Sequence, residues 1–430
     1  MKAQRHLVFF LAVVFLLTSS MAVWGKSLEV EKKPEALGFS SERLTQIDKT
    51  IHSHIAKGII PGATILIGRH GKIAYFKTYG MQDKEGGVPM KKDTIFRIYS
   101  MTKPITAVAI MMMWEEGQFI LTDPVSKFLP EFKGMKVGVE KKDPQTGGTT
   151  LELVPSNREM TIQDCLRHTS GMIYEYPFFG KSMVQQKWAE AKIWEGSENL
   201  AEFTTKVSKL PLGFQPGATW KYSRSIDVLG RVIEVLSGKT FDRYLEERIF
   251  KPLGMNDSGF WVKPENQNRL AQPPKDPSTG KAQDFIDVTK PPKLLSGGGG
   301  LVSSTLDYAR FAQMLLNGGS LDGVRVLGPK TVSYMTSDHL GTIPGYYVPG
   351  GGFGLSFAVR TSPGIVPSAG SVHDYGWMGL AGSVFWVDPK EDMFVVFMIN
   401  DMVIGPTLYY ASLIRSLVYQ ALINTKKEGK

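Results

Sequence analysis

Ser100-Met101-Thr102-Lys103 sets a hydroxyl nucleophile and an amine three residues apart. A serine hydroxyl is a weak nucleophile at its ordinary pKa and needs a base beside it. Residues i and i+3 share a helix face, so a helix starting at Ser100 brings Lys103 next to it. Pro104 supports a start there, because proline is tolerated in the first helical turn. The apolar run from Pro104 to Trp114 continues the helix, and Asp93 to Tyr99 approaches it as a strand. Backbone N–H groups at the helix start then face the neighbourhood of Ser100. The chemistry implied is a serine acyl-enzyme with a lysine base.

The same pattern recurs as Ser278-Thr279-Gly280-Lys281, in a polar stretch with Pro273, Pro274 and Pro277 and no apolar helix behind it. That copy reads as loop. Context therefore separates the two, and further residues must support the first.

A lysine base has to lose its proton near neutral pH, which burial and neighbouring positive charge make possible. A tyrosine can then carry the proton onward. Tyr222 is the best candidate, because Pro216 to Ser223 reads as a turn entering a helix over Asp227 to Leu236. A core tyrosine is the competing reading. The run Tyr375-Gly376-Trp377-Met378-Gly379-Leu380 reads as a strand whose glycines permit close backbone approach. A strand N–H at Leu380 and the N–H of Ser100 form a candidate oxyanion pair. A β-bulge at a sheet edge is the alternative there. Tyr174, Tyr176, Phe178 and Phe179 are candidates for an acyl pocket, with plain packing as the other reading. His168 precedes Thr169-Ser170-Gly171 at a turn, where a structural hydrogen bond is favoured over a role as triad base. His373 is read as solvent-facing rather than as a rim residue.

Both ends of the chain supply helix plus strands. Ser40 or Ser41 caps a helix to about Lys57, with Leu44, Ile47, Ile51 and Ile55 on one stripe. Ala63 to Ile67 and Ile73 to Phe76 flank Arg69-His70-Gly71-Lys72 as a hairpin. Gly382 to Val387 and Met393 to Ile399 flank Asp388 to Asp392 as another, and a last helix is expected over about Pro406 to Ile423 with Leu408, Leu413, Leu417 and Leu422. The middle is mainly helical, with a hairpin insertion expected over Gly134 to Arg158 and a connecting excursion over Pro264 to Pro292. The economical fold is α+β: an antiparallel sheet flanked by N- and C-terminal helices, with an inserted, mainly helical domain. The α/β part is placed at about 38–103 and 291–425 and the helical part at about 104–290. A site is expected in the cleft between them.

The chain has 430 residues, a formal net charge of +9 and 42% hydrophobic residues, enough for a large core. Its charges lie in mixed-sign clusters such as Glu140-Lys141-Lys142-Asp143, which excludes a nucleic-acid stripe. Residues 1–25 read as a signal peptide: Lys2 and Arg5, an apolar run from Leu7 to Leu17, and a cut after Gly25. The run is short for a membrane span, although an uncleaved anchor is the other reading. The expected location is therefore periplasmic or secreted. The one cysteine, Cys165, allows no intrachain disulfide and reads as a buried small hydrophobe. The seven histidines contain no His-x-x-x-His pair, so no metal or other cofactor is expected.

Taken in order, Ser-x-x-Lys, Tyr222-Ser223 and Trp377-Met378-Gly379 resemble the serine β-lactamase and penicillin-binding-protein superfamily. The resemblance is greatest to class C β-lactamases and family VIII carboxylesterases. Leu166 to Met172, Asp227 to Arg231, Pro252 to Met255 and Ser296 to Leu301 match as well, so the likeness spans about Gly38 to Ile423. It implies Ser100 as acylated nucleophile, Lys103 as base, Tyr222 as proton shuttle and the Leu380 N–H as second oxyanion donor. Trp377 and Gly379 would line the substrate cleft. Two departures bear on substrate. Trp377-Met378-Gly379 stands where class C enzymes have Lys-Thr-Gly, which removes a cation that meets a substrate carboxylate. Arg224 replaces the asparagine of Tyr-x-Asn, which removes an amide and either offers a cation in its place or points its side chain elsewhere. The expected function is an exported serine hydrolase cleaving esters of small molecules. The alternatives are a β-lactamase or D-Ala-D-Ala carboxypeptidase, and an inactive envelope-binding protein. The absence of a Gly-x-Ser-x-Gly elbow argues against an α/β-hydrolase.

Overall fold

The computed structural model describes residues 28–176, 180–403 and 408–425. The segment read as a signal peptide lies outside the described residues, as do Phe178 and Phe179.

Ser40 caps the first helix, Ser41–Ala56, by accepting a hydrogen bond from the Arg43 N–H at 3.2 Å. Its stripe of Leu44, Ile47 and Ile51 is buried. The strands Gly62–Arg69 and Lys72–Asp83 follow, joined by a two-residue turn at His70 and Gly71 with φ of 53° and 74°. Two positive φ values make the primed turn whose twist suits a hairpin. The second hairpin pairs Val384–Asp388 with Met393–Met398.

These hairpins join in one antiparallel sheet of eight strands. Across it the strands run Gly351–Phe353, Ala358–Arg360, Tyr375–Met378, Val384–Asp388, Met393–Met398, Gly62–Arg69, Lys72–Asp83 and Val88–Pro89. The two ends of the chain meet at its centre, with Ile65 opposite Phe397 and Ile67 opposite Val395. Side chains alternate across a strand, so each central strand feeds two cores. Ile65, Ile67, Val395 and Phe397 pack against the first and last helices, with Leu44, Ile51, Ile414 and Val418. Leu66, Phe394, Val396 and Met398 face the opposite layer, where the helix Thr305–Leu316 carries Tyr308 and Phe311. Burial on both faces explains why these strands are apolar at nearly every position.

The last helix is shorter than expected, at Tyr409–Tyr419, and residues 404–407 lie outside the described set. Leu408 precedes it with φ of 56°, a left-handed conformation that ends the helical path, and the buried stripe is Tyr410, Ile414, Leu417 and Val418. Of the expected stripe, Leu417 is buried, whereas Leu408, Leu413 and Leu422 are half-buried.

Between the sheet strands lie the hairpin Lys136–Lys142 with Thr149–Pro155 and the helices Ile162–Leu166, Met183–Glu190, Leu200–Val207 and Ser225–Ser237. Their apolar residues continue the core beneath the sheet without a break, from Phe385 through Met101 and Ile105 to Leu229. A short sheet of Ile95–Arg97 with Val302–Ser304 delivers the chain to Ser100. The second Ser-x-x-Lys, at Ser278, is a turn around Asp276, whose carboxylate accepts the Ser278 N–H at 2.7 Å. Among the described residues, no helix is long and apolar enough to cross a membrane.

Candidate active site

Ser100 sits in a 3₁₀ turn, Tyr99–Met101, that leads into the helix Thr102–Glu115. The α-helix thus begins two residues later than the sequence suggests, but the i, i+3 relation holds. Lys103 Nζ lies 3.1 Å from Ser100 Oγ and donates to the Gly298 carbonyl at 2.5 Å. The preceding residue, Tyr99, has φ of 42°, uncommon for a side chain of this size and the kind of local strain that collects at reactive sites. The conformation is held: the Tyr99 hydroxyl accepts the Ile286 N–H at 3.3 Å, and Tyr308 below donates to the Met101 carbonyl at 2.9 Å.

Lys103 is 1% exposed. Burial brings its pKa down to about 7; Asp227 pulls it up and Arg224 pushes it further down. An amine with that pKa is substantially neutral at physiological pH and can accept a proton from Ser100. Asp227 acts at a distance through a loop. Its Oδ1 accepts from Ser296 Oγ at 2.5 Å and from the Gly298 N–H at 2.9 Å, which fixes the carbonyl that holds Lys103.

Tyr222 lies at the end of the turn before the helix Ser225–Ser237, as its position suggests. Lys103 Nζ is 4.6 Å from the centre of its ring. Burial pushes the Tyr222 phenol upward, while hydrogen bonds from Ser100 and Trp377 oppose the shift. The Trp377 indole N–H donates to the Tyr222 hydroxyl at 3.2 Å. Trp377 thus presents a neutral donor to the Tyr222 hydroxyl. Tyr174 also joins the site: its ring is 5.2 Å from that of Tyr222 and 5.6 Å from Lys103 Nζ.

Gly379 and Leu380 are at the mouth, but in a tight turn beyond the strand Tyr375–Met378 rather than on it. The turn closes through Gly379 N–H to the Ser383 carbonyl at 2.8 Å and Gly382 N–H to the Gly379 carbonyl at 3.0 Å. A Cβ on Gly379 would stand 2.5 Å from the Ile98 carbonyl oxygen, so only glycine lets this turn lie against the segment carrying Ser100. The strand placement of Leu380 is thereby corrected, and its side chain is 44% exposed.

Arg224 is the second correction. Its guanidinium does not offer a free cation to the cleft. It is buried and forms a two-pronged pair with Glu175, with Nε to Oε2 at 2.9 Å and Nη2 to Oε1. Glu175 was not singled out from the sequence. An acidic residue beside a run of tyrosines carries no local pattern, and its partner is 49 residues away.

His168 is fully buried, and its Nδ1 lies 3.1 Å from Ser223 Oγ, in line with the structural reading. Burial, and then the charge of Lys103, hold it well below the ordinary histidine range. His373 is exposed, and Cys165 is buried.

A nucleophile, a buried amine and a tyrosine gathered beside the strand Tyr375–Met378 of an antiparallel sheet define a serine hydrolase-type superfamily. The β-lactamase family model matches residues 47–417, and the chain belongs to that family. It is 32% identical over 356 residues to an uncharacterized protein of Mycobacterium tuberculosis, covering 80% of this chain and 86% of that one. It is 29% identical over 408 residues to the esterase EstB of Burkholderia gladioli, covering 90% and 98%. Among solved structures, EstCE1, a hydrolase with promiscuous acyltransferase activity, superposes with a TM-score of 0.73 at 25% identity, covering 88% of this chain and 99% of that one.

Proposed function

We propose that this protein is an exported carboxylesterase that cleaves esters of small, uncharged molecules through an acyl-Ser100 intermediate. The observation that carries the substrate class is Trp377, which gives Tyr222 an indole N–H where a β-lactamase would present an ammonium. Arg224 does not replace that ammonium, because Glu175 neutralises it. The similarity to EstB supports the same reading. Export rests on the N-terminal sequence, which suits a periplasmic or secreted enzyme, and neither nucleic acid nor a cofactor enters the scheme.

In the proposed reaction neutral Lys103 takes the Ser100 hydroxyl proton as Oγ attacks the ester carbonyl carbon. The N–H groups of Ser100 and Leu380 receive the oxyanion. Collapse breaks the ester C–O bond, and the proton passes through Tyr222 to the departing alkoxide. Water then repeats the sequence on the acyl-serine and releases the acid.

Ser100→Ala should abolish hydrolysis of a p-nitrophenyl ester while leaving the fold intact by circular dichroism. Retained activity would overturn the reading. Nitrocefin turnover exceeding ester turnover would favour the β-lactamase alternative instead. Because Lys103 must be neutral, kcat/KM for the ester should rise with pH through about 7 and level off above it, a limb read directly from a pH–rate profile. Gly379→Ala pushes the Leu380 turn away from Ile98 and should cost roughly 10²-fold in kcat, the order seen for a lost oxyanion donor. Unchanged kcat in that variant would remove Leu380 from the scheme.

A further inference from the structure

Arg224 and Glu175 form a buried ion pair that the reaction above does not use. Such a pair is costly to desolvate, and replacing it by apolar side chains is often neutral or better for stability. Stability alone is therefore a weak explanation for a buried pair beside the proposed base.

The geometry supplies another. The Arg224 guanidinium lies 4.4 Å from the centre of the Tyr174 ring and 4.4 Å from that of Trp194. Lys103 Nζ faces the same Tyr174 ring at 5.6 Å. Arg224 also grips the segment that carries this ring, through Glu175 and through the Tyr176 hydroxyl at 3.0 Å. Glu175 is fixed in turn by the Trp194 indole N–H at 2.9 Å. Two cations thus share one aromatic ring, one held permanently by a carboxylate and the other the proposed base. The second cannot gain from the ring what it would gain alone.

We infer that Arg224 and Glu175 are positioning residues for Lys103: they fix Tyr174 against its amine and set a permanent guanidinium beside it. The inference rests on the acyl-serine reading and extends it to residues that touch neither Ser100 nor substrate. The other groups facing Lys103 are few. Asp227 lies 3.6 Å from Arg224 Nη1 and favours the charged amine. Tyr222 and His168 both stay neutral, the phenol raised by burial and the imidazole lowered by it. Although burial pushes the Glu175 carboxyl up, Arg224 brings it below its ordinary value, so it carries a full negative charge at neutral pH.

The charges predict shifts of opposite sign. Arg224→Gln leaves Glu175 and Asp227 uncompensated, so Lys103 keeps its proton to higher pH. Glu175→Gln leaves Arg224 uncompensated, so Lys103 loses its proton at lower pH. The readout is the pH dependence of Ser100 labelling by a fluorophosphonate, which does not depend on ester choice or deacylation. The acid limb should move up by about 0.5–1 pH unit in Arg224→Gln and down by a similar amount in Glu175→Gln. Arg224→Lys, which keeps the charge, should hold the wild-type limb. Limbs that stay put, or that move the same way in both Gln variants, would overturn the inference and leave the pair a packing feature. If Arg224→Gln does not fold, Glu175→Gln against wild type still decides by the sign of its shift. A wild-type protein that never labels at Ser100 would instead defeat the acyl-serine reading itself.

Discussion

Lys103→Met should lose about 10²- to 10⁴-fold in kcat/KM for an ester, the range expected for removal of a general base, and should melt at a higher temperature than the wild type. The two effects have one cause. Lys103 is buried at the start of an apolar helix, and its pKa falls from 10.5 to about 7 on folding. Between these values the unfolded chain binds a proton that the folded chain releases, so stability rises with pH across that window. Below pH 7 both states hold the proton and the burial cost is present in full. Methionine has similar length and no charge, so the variant escapes that cost, which is of the order of a few kcal/mol at neutral pH. Against this stands the lost hydrogen bond to the Gly298 carbonyl, worth about 1–3 kcal/mol if the acceptor is left unsatisfied. Thermal unfolding at pH 6 and at pH 9 checks the balance. The advantage of Lys103→Met over wild type should be larger at pH 6 and shrink at pH 9. Full ester activity in this variant would remove Lys103 from catalysis.

Tyr222→Phe should reduce kcat by about 10²- to 10⁴-fold, with a modest fall in melting temperature from the Trp377 indole N–H left without an acceptor. The hydroxyl receives a hydrogen bond from the Trp377 indole at 3.2 Å, and the ring rests against Tyr174, Trp220 and Trp377. Removing one oxygen therefore keeps the packing and deletes the proton path. The substitution also leaves the indole N–H without its acceptor, so Trp377→Phe is the informative companion. It preserves the phenol while removing its indole donor and part of the ring packed on it, and should fall between wild type and Tyr222→Phe in kcat. Steady-state kinetics on one activated and one unactivated alkyl ester separates the roles. An activated phenolate leaves without help, whereas an alkoxide needs a proton, so the loss in Tyr222→Phe should be greater for the alkyl ester. Equal loss on both would assign Tyr222 to positioning instead of proton transfer.

Much of the site was legible because its central relation is local. Ser100 and Lys103 are three residues apart, and an apolar run with an early proline is enough to place both on one helix face. The hairpins at His70-Gly71 and Asp388 to Asp392 were legible for the same reason, since each turn sits between its own two strands. Tyr222 was marked by an element boundary. The relations that escaped are long-range. The Trp377 indole meets a hydroxyl 155 residues away, and no periodicity reports that contact. Arg224 reads as a free cation until Glu175, from a separate loop, is brought against it. Asp227 lies in a helix where its role, holding the Gly298 carbonyl under Lys103, depends on a distant glycine-rich loop. The placement of Leu380 failed for a local reason: Gly379 and Gly382 form a turn where the glycines read as part of a continuing strand.

The central claim is that one serine, activated by a buried lysine, carries the acyl group. Intact-mass spectrometry of protein treated with a fluorophosphonate, followed by peptide mapping and an ester assay on the same sample, tests it most directly. The account predicts a single adduct on Ser100, ester hydrolysis falling in proportion to labelling, and no adduct on Ser100→Ala. An adduct on another residue, or a fully labelled protein that still hydrolyses esters, would contradict it.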